Sequence, residues 1–122
     1  MKAIIGISDW NQTRAELRKL AKKIDAGKHL PEADYQLDFP SPVELLAELP
    51  PKRLQILREL KSAGPLSVYA LAKRLGRNYS NVHSDIQRLL AIGLVEKNSA
   101  DQVLMPYEDI VVQVDASLMV AA

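Results

Sequence analysis

Ser80, Asn81, Ser84, Gln87 and Arg88 fall within a nine-residue stretch and end in hydrogen-bonding or cationic groups. On a helical wheel over residues 79–90, Ser80, Ser84, Gln87 and Arg88 share one side, with Asn81 and His83 flanking; Val82, Ile86, Leu89 and Leu90 take the other. A short polar face of this kind suits base edges. Gln or Asn pairs with adenine, Arg with guanine, and Ser with several donors or acceptors. Lys73 and Arg74 at the end of the preceding helix, and Arg77 in the turn after it, are spaced to hold phosphates, and Ser67 at that helix's cap is counted with the DNA-facing set. Tyr79 could stack on a sugar or base, but at N1 of its helix it is expected to pack on its own domain.

The other chemistry-bearing residues form no second constellation. His29 and His83 lie on different elements without a clustered carboxylate or thiolate, so no metal site is expected. Asp34 with Asp38, and Glu108 with Asp109, lack any companion that would make an acid/base pair catalytic. No enzyme activity and no cofactor are therefore expected. Asp85 shares the polar helix, and a tether to Arg74, Arg88 or a turn amide is its expected role.

The elements that must position these groups are marked by caps and apolar periodicity. Lys2 to Ile7 reads as a strand. Residues 9–27 read as a basic amphipathic helix closed by Gly27, and Tyr35, Leu37 and Phe39 alternate with polar residues up to Pro40. Ser41-Pro42-Val43-Glu44 starts a short helix that Pro50-Pro51 ends, Pro51 itself serving as N1 of the next. Leu54, Ile56, Leu57 and Leu60 face a core until Ala63-Gly64-Pro65. Ser67 then caps a helix with the stripe Val68, Leu71, Ala72 and Leu75, ended by Gly76. Asn78 caps the polar helix, which Gly93 ends. Residues 94–97 and 102–105 read as a hairpin about the turn Asn98 to Asp101, and Ile110 to Val114 as a last strand.

Composition bounds the rest. The chain has 122 residues, 48% apolar and 25% charged, and no cysteine, so disulfides and thiolate sites are excluded and a single-core soluble domain is expected. Its apolar runs fall short of the roughly 20 residues of a membrane span, and its start is too short for a signal peptide, so a cytoplasmic protein is expected. The net charge of +1 conceals an uneven distribution. Residues 50–97 hold nine Lys/Arg against three Asp/Glu, while residues 28–49 hold one against five and residues 98–122 none against four. A basic middle between acidic segments points to nucleic-acid contact by the middle alone.

Three helices and a hairpin, with the second and third helices joined across Gly76-Arg77-Asn78, follow the order of a winged helix-turn-helix. The stretch LSVYALAKRLG, Asn78 to Ile92 and Gly93-Leu94-Val95-Glu96 resembles the MarR-type winged-helix pattern over about residues 50 to 106. More specifically, PPKRLQILRELK, GPLSVYALAKRLGRNYSNVHSDIQRL and MPYEDIVV are similar to a family of small prokaryotic transcriptional regulators, some of them assigned as antitoxins of two-gene toxin–antitoxin modules. That resemblance implies binding to double-stranded operator DNA, repression of the protein's own operon and a toxin as partner. It places the recognition helix at Asn78 to Ile92 and base readout at Ser80, Asn81, Ser84 and Gln87. The wing tip Asn98 to Asp101 has no Lys or Arg, so the N-terminal basic helix is expected to supply further phosphate contacts.

The expected fold is α+β and mainly helical: an N-terminal strand–helix extension (1–40), a winged helix-turn-helix (41–106) and a C-terminal strand and tail (107–122). The two terminal strands must pair, with each other or across a dimer, and a homodimer through the first helix and these strands is expected. The acidic tail either frays or orders on a toxin. In the rival reading, the winged helix docks proteins, and neutralising a toxin is its main role.

Overall fold

The computed structural model describes residues 1–7 and 34–113. The basic helix expected over residues 9–27, His29 and its loop, Val114 and the acidic tail lie outside them. In chain order the elements are β1 (Ala3–Ile7), β2 (Tyr35–Phe39), α1 (Pro42–Glu48), α2 (Pro51–Ala63), α3 (Val68–Leu75), α4 (Tyr79–Ala91), β3 (Glu96–Lys97), β4 (Val103–Leu104) and β5 (Ile110–Gln113). The fold is α+β. Two compact units divide the chain: Met1–Leu46 together with Tyr107–Ala122, and Ala47–Pro106.

The first unit is built on a sheet of order β2-β1-β5 in which both pairings are parallel. The terminal strands thus pair within one chain, Ala3 opposite Ile110 and Ile5 opposite Val112. β1 is the central strand, and its apolar run AIIGI fits that place: Ala3 and Ile5 are fully buried. At Gly6 an added Cβ would lie 3.3 Å from Asp38 Oδ1, so glycine lets the neighbouring strand's carboxylate come close. The Tyr35 and Tyr107 rings stack at 5.6 Å, and the N-terminal ammonium pairs with Glu108 at 2.6 Å. Asp34 accepts from the Lys2 amide, and Asp38 accepts from the Gln36 side chain.

The second unit holds α2, α3, α4 and the β3–β4 hairpin. Ile56, Leu57 and Leu60 of α2, Leu71 and Ala72 of α3, and Val82, Ile86 and Leu89 of α4 are buried with Leu94, Val95 and Val103. Four expected core positions differ. Val68 and Leu75, at the two ends of α3, are only partly buried. Leu54 is 41% exposed, since it sits on the first turn of α2 at the margin of the apolar stripe, and Leu90 is only partly buried. The hairpin is shorter than its expected segments because chain ends are used elsewhere. The Leu94 amide closes the end of α4 on the Leu89 carbonyl, and the Gln102 amide donates to Asn98 Oδ1. Leu66 adds to the hairpin's outer edge, exchanging backbone bonds of 3.0 and 2.7 Å with Val103. No described helix is long and apolar enough to cross a membrane.

Candidate nucleic-acid interface

The turn that aims α4 is fixed by backbone chemistry. Ser67 starts α3 by accepting from the Ala70 amide at 3.1 Å. Gly76 ends it at φ 64°, ψ 33°, with its own amide on the Lys73 carbonyl and the Arg77 amide on the Ala72 carbonyl. That is a Schellman closure, which needs the left-handed conformation glycine adopts without strain. Asn78 then caps α4, its side chain accepting from the Ser80 amide at 2.8 Å. Gly93, at φ 80°, closes α4 in the same way.

With Val82, Ile86 and Leu89 buried, α4 turns Ser80, Asn81, Ser84, Gln87 and Arg88 outward, and all five are exposed. His83 is half-buried. Tyr79 packs on its own unit in part: its ring stacks on His83 at 5.8 Å, yet it is 49% exposed, because N1 of α4 stands clear of the core stripe. His83 in turn lies beside Gln87, at 3.5 Å between the two Nε2 atoms. Tyr79, His83 and Gln87, four residues apart, form a row along the edge of the polar face.

Electrostatics in this unit differ from the sequence picture. Asp85 is tethered neither to Arg74 nor to Arg88 nor to a turn amide; it is clasped by Arg53 of α2 at 3.0 Å and by Arg77 of the turn at 2.9 Å. A wheel compares residues on one helix, whereas these partners arrive from another helix and from a turn. Burial pushes the Asp85 carboxyl up, but the hydrogen bonds from Arg77 and Arg53, with their charges, outweigh it and hold the group below its usual range. Arg77, assigned to phosphate from sequence, is 16% exposed and committed to this bridge; its buried Nη1 has no hydrogen-bond partner among the described residues.

The network continues outward. Arg53 also donates to the Glu48 carbonyl at 3.0 Å and lies 3.6 Å from its carboxylate. Arg88 grips that carboxylate with two nitrogens, Nε at 2.6 Å from Oε2 and Nη2 on Oε1. The hydrogen bond from Arg88 holds the Glu48 carboxyl below its usual range against the opposing effect of burial. Arg77, Asp85, Arg53, Glu48 and Arg88 thus form an alternating chain of charges that ties α4 to α2 and to the last residue of α1. Arg74 pairs with Glu59 at 2.7 Å, and Lys97 with Asp101 at 3.4 Å. Lys73, at the end of α3, has no ion-pair partner among the described residues. Ser67 spends its hydroxyl as the α3 cap.

Sequence reading missed Glu48 and Arg53. Glu48 carried one signal: an acid in the last turn of a helix opposes the macrodipole, so it calls for a cation from elsewhere. Arg53 carried none.

Two helices joined by a glycine turn, a preceding helix and a following β-hairpin make this unit a winged helix-turn-helix. The chain belongs to the HVO_A0114 family, whose model matches residues 48–112. A MarR-like transcriptional regulator from Thermotoga maritima has a similar crystal structure, with a TM-score of 0.43 and 20% sequence identity over 80% of this chain; the match spans 65% of that regulator's length. No curated protein matches the chain.

Proposed function

We propose that the protein is a sequence-specific DNA-binding transcriptional regulator that represses its own operon. The observation that carries this reading is the outward face of α4: exposed Ser80, Asn81, Ser84 and Gln87 on a helix rigidly set by the Gly76 closure and the Asp85 bridge. These side chains have the donors and acceptors that base edges match in a major groove. Lys73 at the end of α3 serves phosphates, while the half-exposed Arg74 beside it is held by Glu59. Arg77 braces the turn through Asp85.

A repressor of this type reads two half-sites as a homodimer, its recognition helices about 34 Å apart. Light scattering of the full chain is expected to show twice the 13.6 kDa chain mass, and a particle of chain mass at micromolar concentration refutes the dimer. The experiment that tests the function is a gel shift on the DNA upstream of the protein's own gene, against a scrambled duplex of equal length. Selective retardation of the upstream DNA is expected; equal or absent retardation refutes sequence-specific binding. The antitoxin role rests on the sequence resemblance alone, and adding the neighbouring gene's product to the same gel tests it. A complex with that product and no DNA binding favours the reading in which the winged helix docks a protein.

A further inference from the structure

Arg88 is the only Lys or Arg between Tyr79 and Ala91, so it alone can put a cation on the outward face of α4. It is half-exposed, yet its guanidinium is taken by Glu48 in a two-point grip. Forked arginine–carboxylate pairs are directional, because two parallel bonds fix both the distance and the plane. The carboxylate cannot simply swing away with the arginine, since Arg53 anchors the Glu48 carbonyl and lies beside its side chain while being held by Asp85. Arg88 is thus the movable end of a fixed charge chain. Sequence-independent affinity for DNA comes from cations that replace counterions at phosphates, each contributing a steep dependence on salt.

We propose that Glu48 is an attenuating residue that withholds Arg88 from the phosphate backbone and so keeps the recognition helix electrostatically neutral. This rests on the DNA-binding reading and deepens it. The base-reading side chains keep their access while one backbone contact is denied to cognate and random DNA alike. Binding then depends more on hydrogen bonds to bases in place and less on charge.

The test is fluorescence anisotropy of the full chain on the upstream duplex and on a scrambled duplex, across 50–200 mM salt, for wild type, Glu48→Gln, Arg88→Gln and the double variant, each with a circular dichroism melt to confirm folding. Glu48→Gln is expected to tighten both duplexes about five- to ten-fold at 0.1 M salt and to steepen the log–log salt slope by about 0.9, the value of one phosphate contact. Arg88→Gln bares the Glu48 carboxylate and is expected to bind both duplexes more weakly than wild type, and adding Glu48→Gln to it is expected to restore about wild-type affinity and slope but no more. Unchanged binding by Glu48→Gln, or a double variant that binds as tightly and with as steep a salt slope as Glu48→Gln alone, overturns the proposal; the latter outcome would mean that a general loss of negative charge is responsible. Wild type failing to bind either duplex overturns the DNA-binding reading and this inference with it, whereas wild-type binding with no gain in Glu48→Gln overturns this inference alone.

Discussion

Replacing Asp85 by Asn removes the one negative charge that Arg53 and Arg77 share. Their side chains are 21% and 16% exposed, and Asp85 is 15% exposed, so water screens the two guanidinium groups only in part. Removing one partner from a buried pair costs about 3–5 kcal/mol, because the remaining charge is left uncompensated. Here the residual exposure and the oxygen that Asn retains lower that, to about 2–3 kcal/mol, in keeping with charged hydrogen bonds contributing about 1.5–3 kcal/mol each. For a unit of this size a melt should move by roughly 10–20 °C, given about 4–8 °C per kcal/mol. The pH dependence supplies a second, independent reading. Because the folded-state pKa of Asp85 lies below the unfolded value, its contribution is complete above about pH 4 and is lost as the pH falls through the folded pKa. The gap between wild type and the variant should therefore be widest near neutrality and close as the pH drops below about 4. Glu48 is present in both proteins, so its own depressed pKa largely cancels in the difference. Urea unfolding followed by far-ultraviolet circular dichroism, at pH 7 and in steps down to pH 3, measures both. A variant within 0.5 kcal/mol of wild type at pH 7, or a gap that stays constant to pH 3, would refute the bridge as the brace of α4.

Gln87→Ala is expected to lose about 1–3 kcal/mol on cognate DNA and little on random duplex, and equal losses in a titration of both would show that Gln87 does not read sequence. Lys73→Ala should weaken both duplexes alike and lower the salt slope by about one, which a salt series reads directly; an unchanged slope would remove Lys73 from the phosphate contacts. Gly76→Ala meets no atom within 4 Å of the new Cβ, so its cost is the left-handed conformation alone, about 1–2 kcal/mol in urea unfolding. A loss well beyond that would mean the turn rearranges.

The helical unit was legible in the sequence because its signals are local. Serine and asparagine caps, the Gly76 and Gly93 stops and the apolar stripes of α3 and α4 act within a turn or two of helix; the caps and stops stand in the structure, and the stripes do at their centres, Leu71 and Ala72 in α3 and Val82, Ile86 and Leu89 in α4. The same periodicity assigned Ser80, Asn81, Ser84 and Gln87 to the outward face. It could not say how far Tyr79 is covered, since N1 lies where a wheel does not show whether a neighbour reaches the ring; the stack on His83 covers it in part. The sheet was half legible. Each strand is marked by its isoleucine, valine or alternating aromatic pattern, but β1 joining β2 and β5 in parallel is a matter of register between segments distant in the chain.

Charge is where sequence and tertiary structure part. Counting residues shows a basic middle, and no rearrangement of side chains alters that count. Only the fold decides which of those charges face outward free of partners. Arg53 and Arg77 converge on Asp85, Arg88 on Glu48 and Arg74 on Glu59, across separations of 8 to 40 residues that no periodicity links. The sequence by itself determined the helices, their order and the polar face of α4, because those follow from backbone hydrogen bonds and near-neighbour burial. The tertiary structure decided that four of the arginines act first as struts, because a carboxylate brought within 3 Å competes for a guanidinium that the linear chain leaves unassigned.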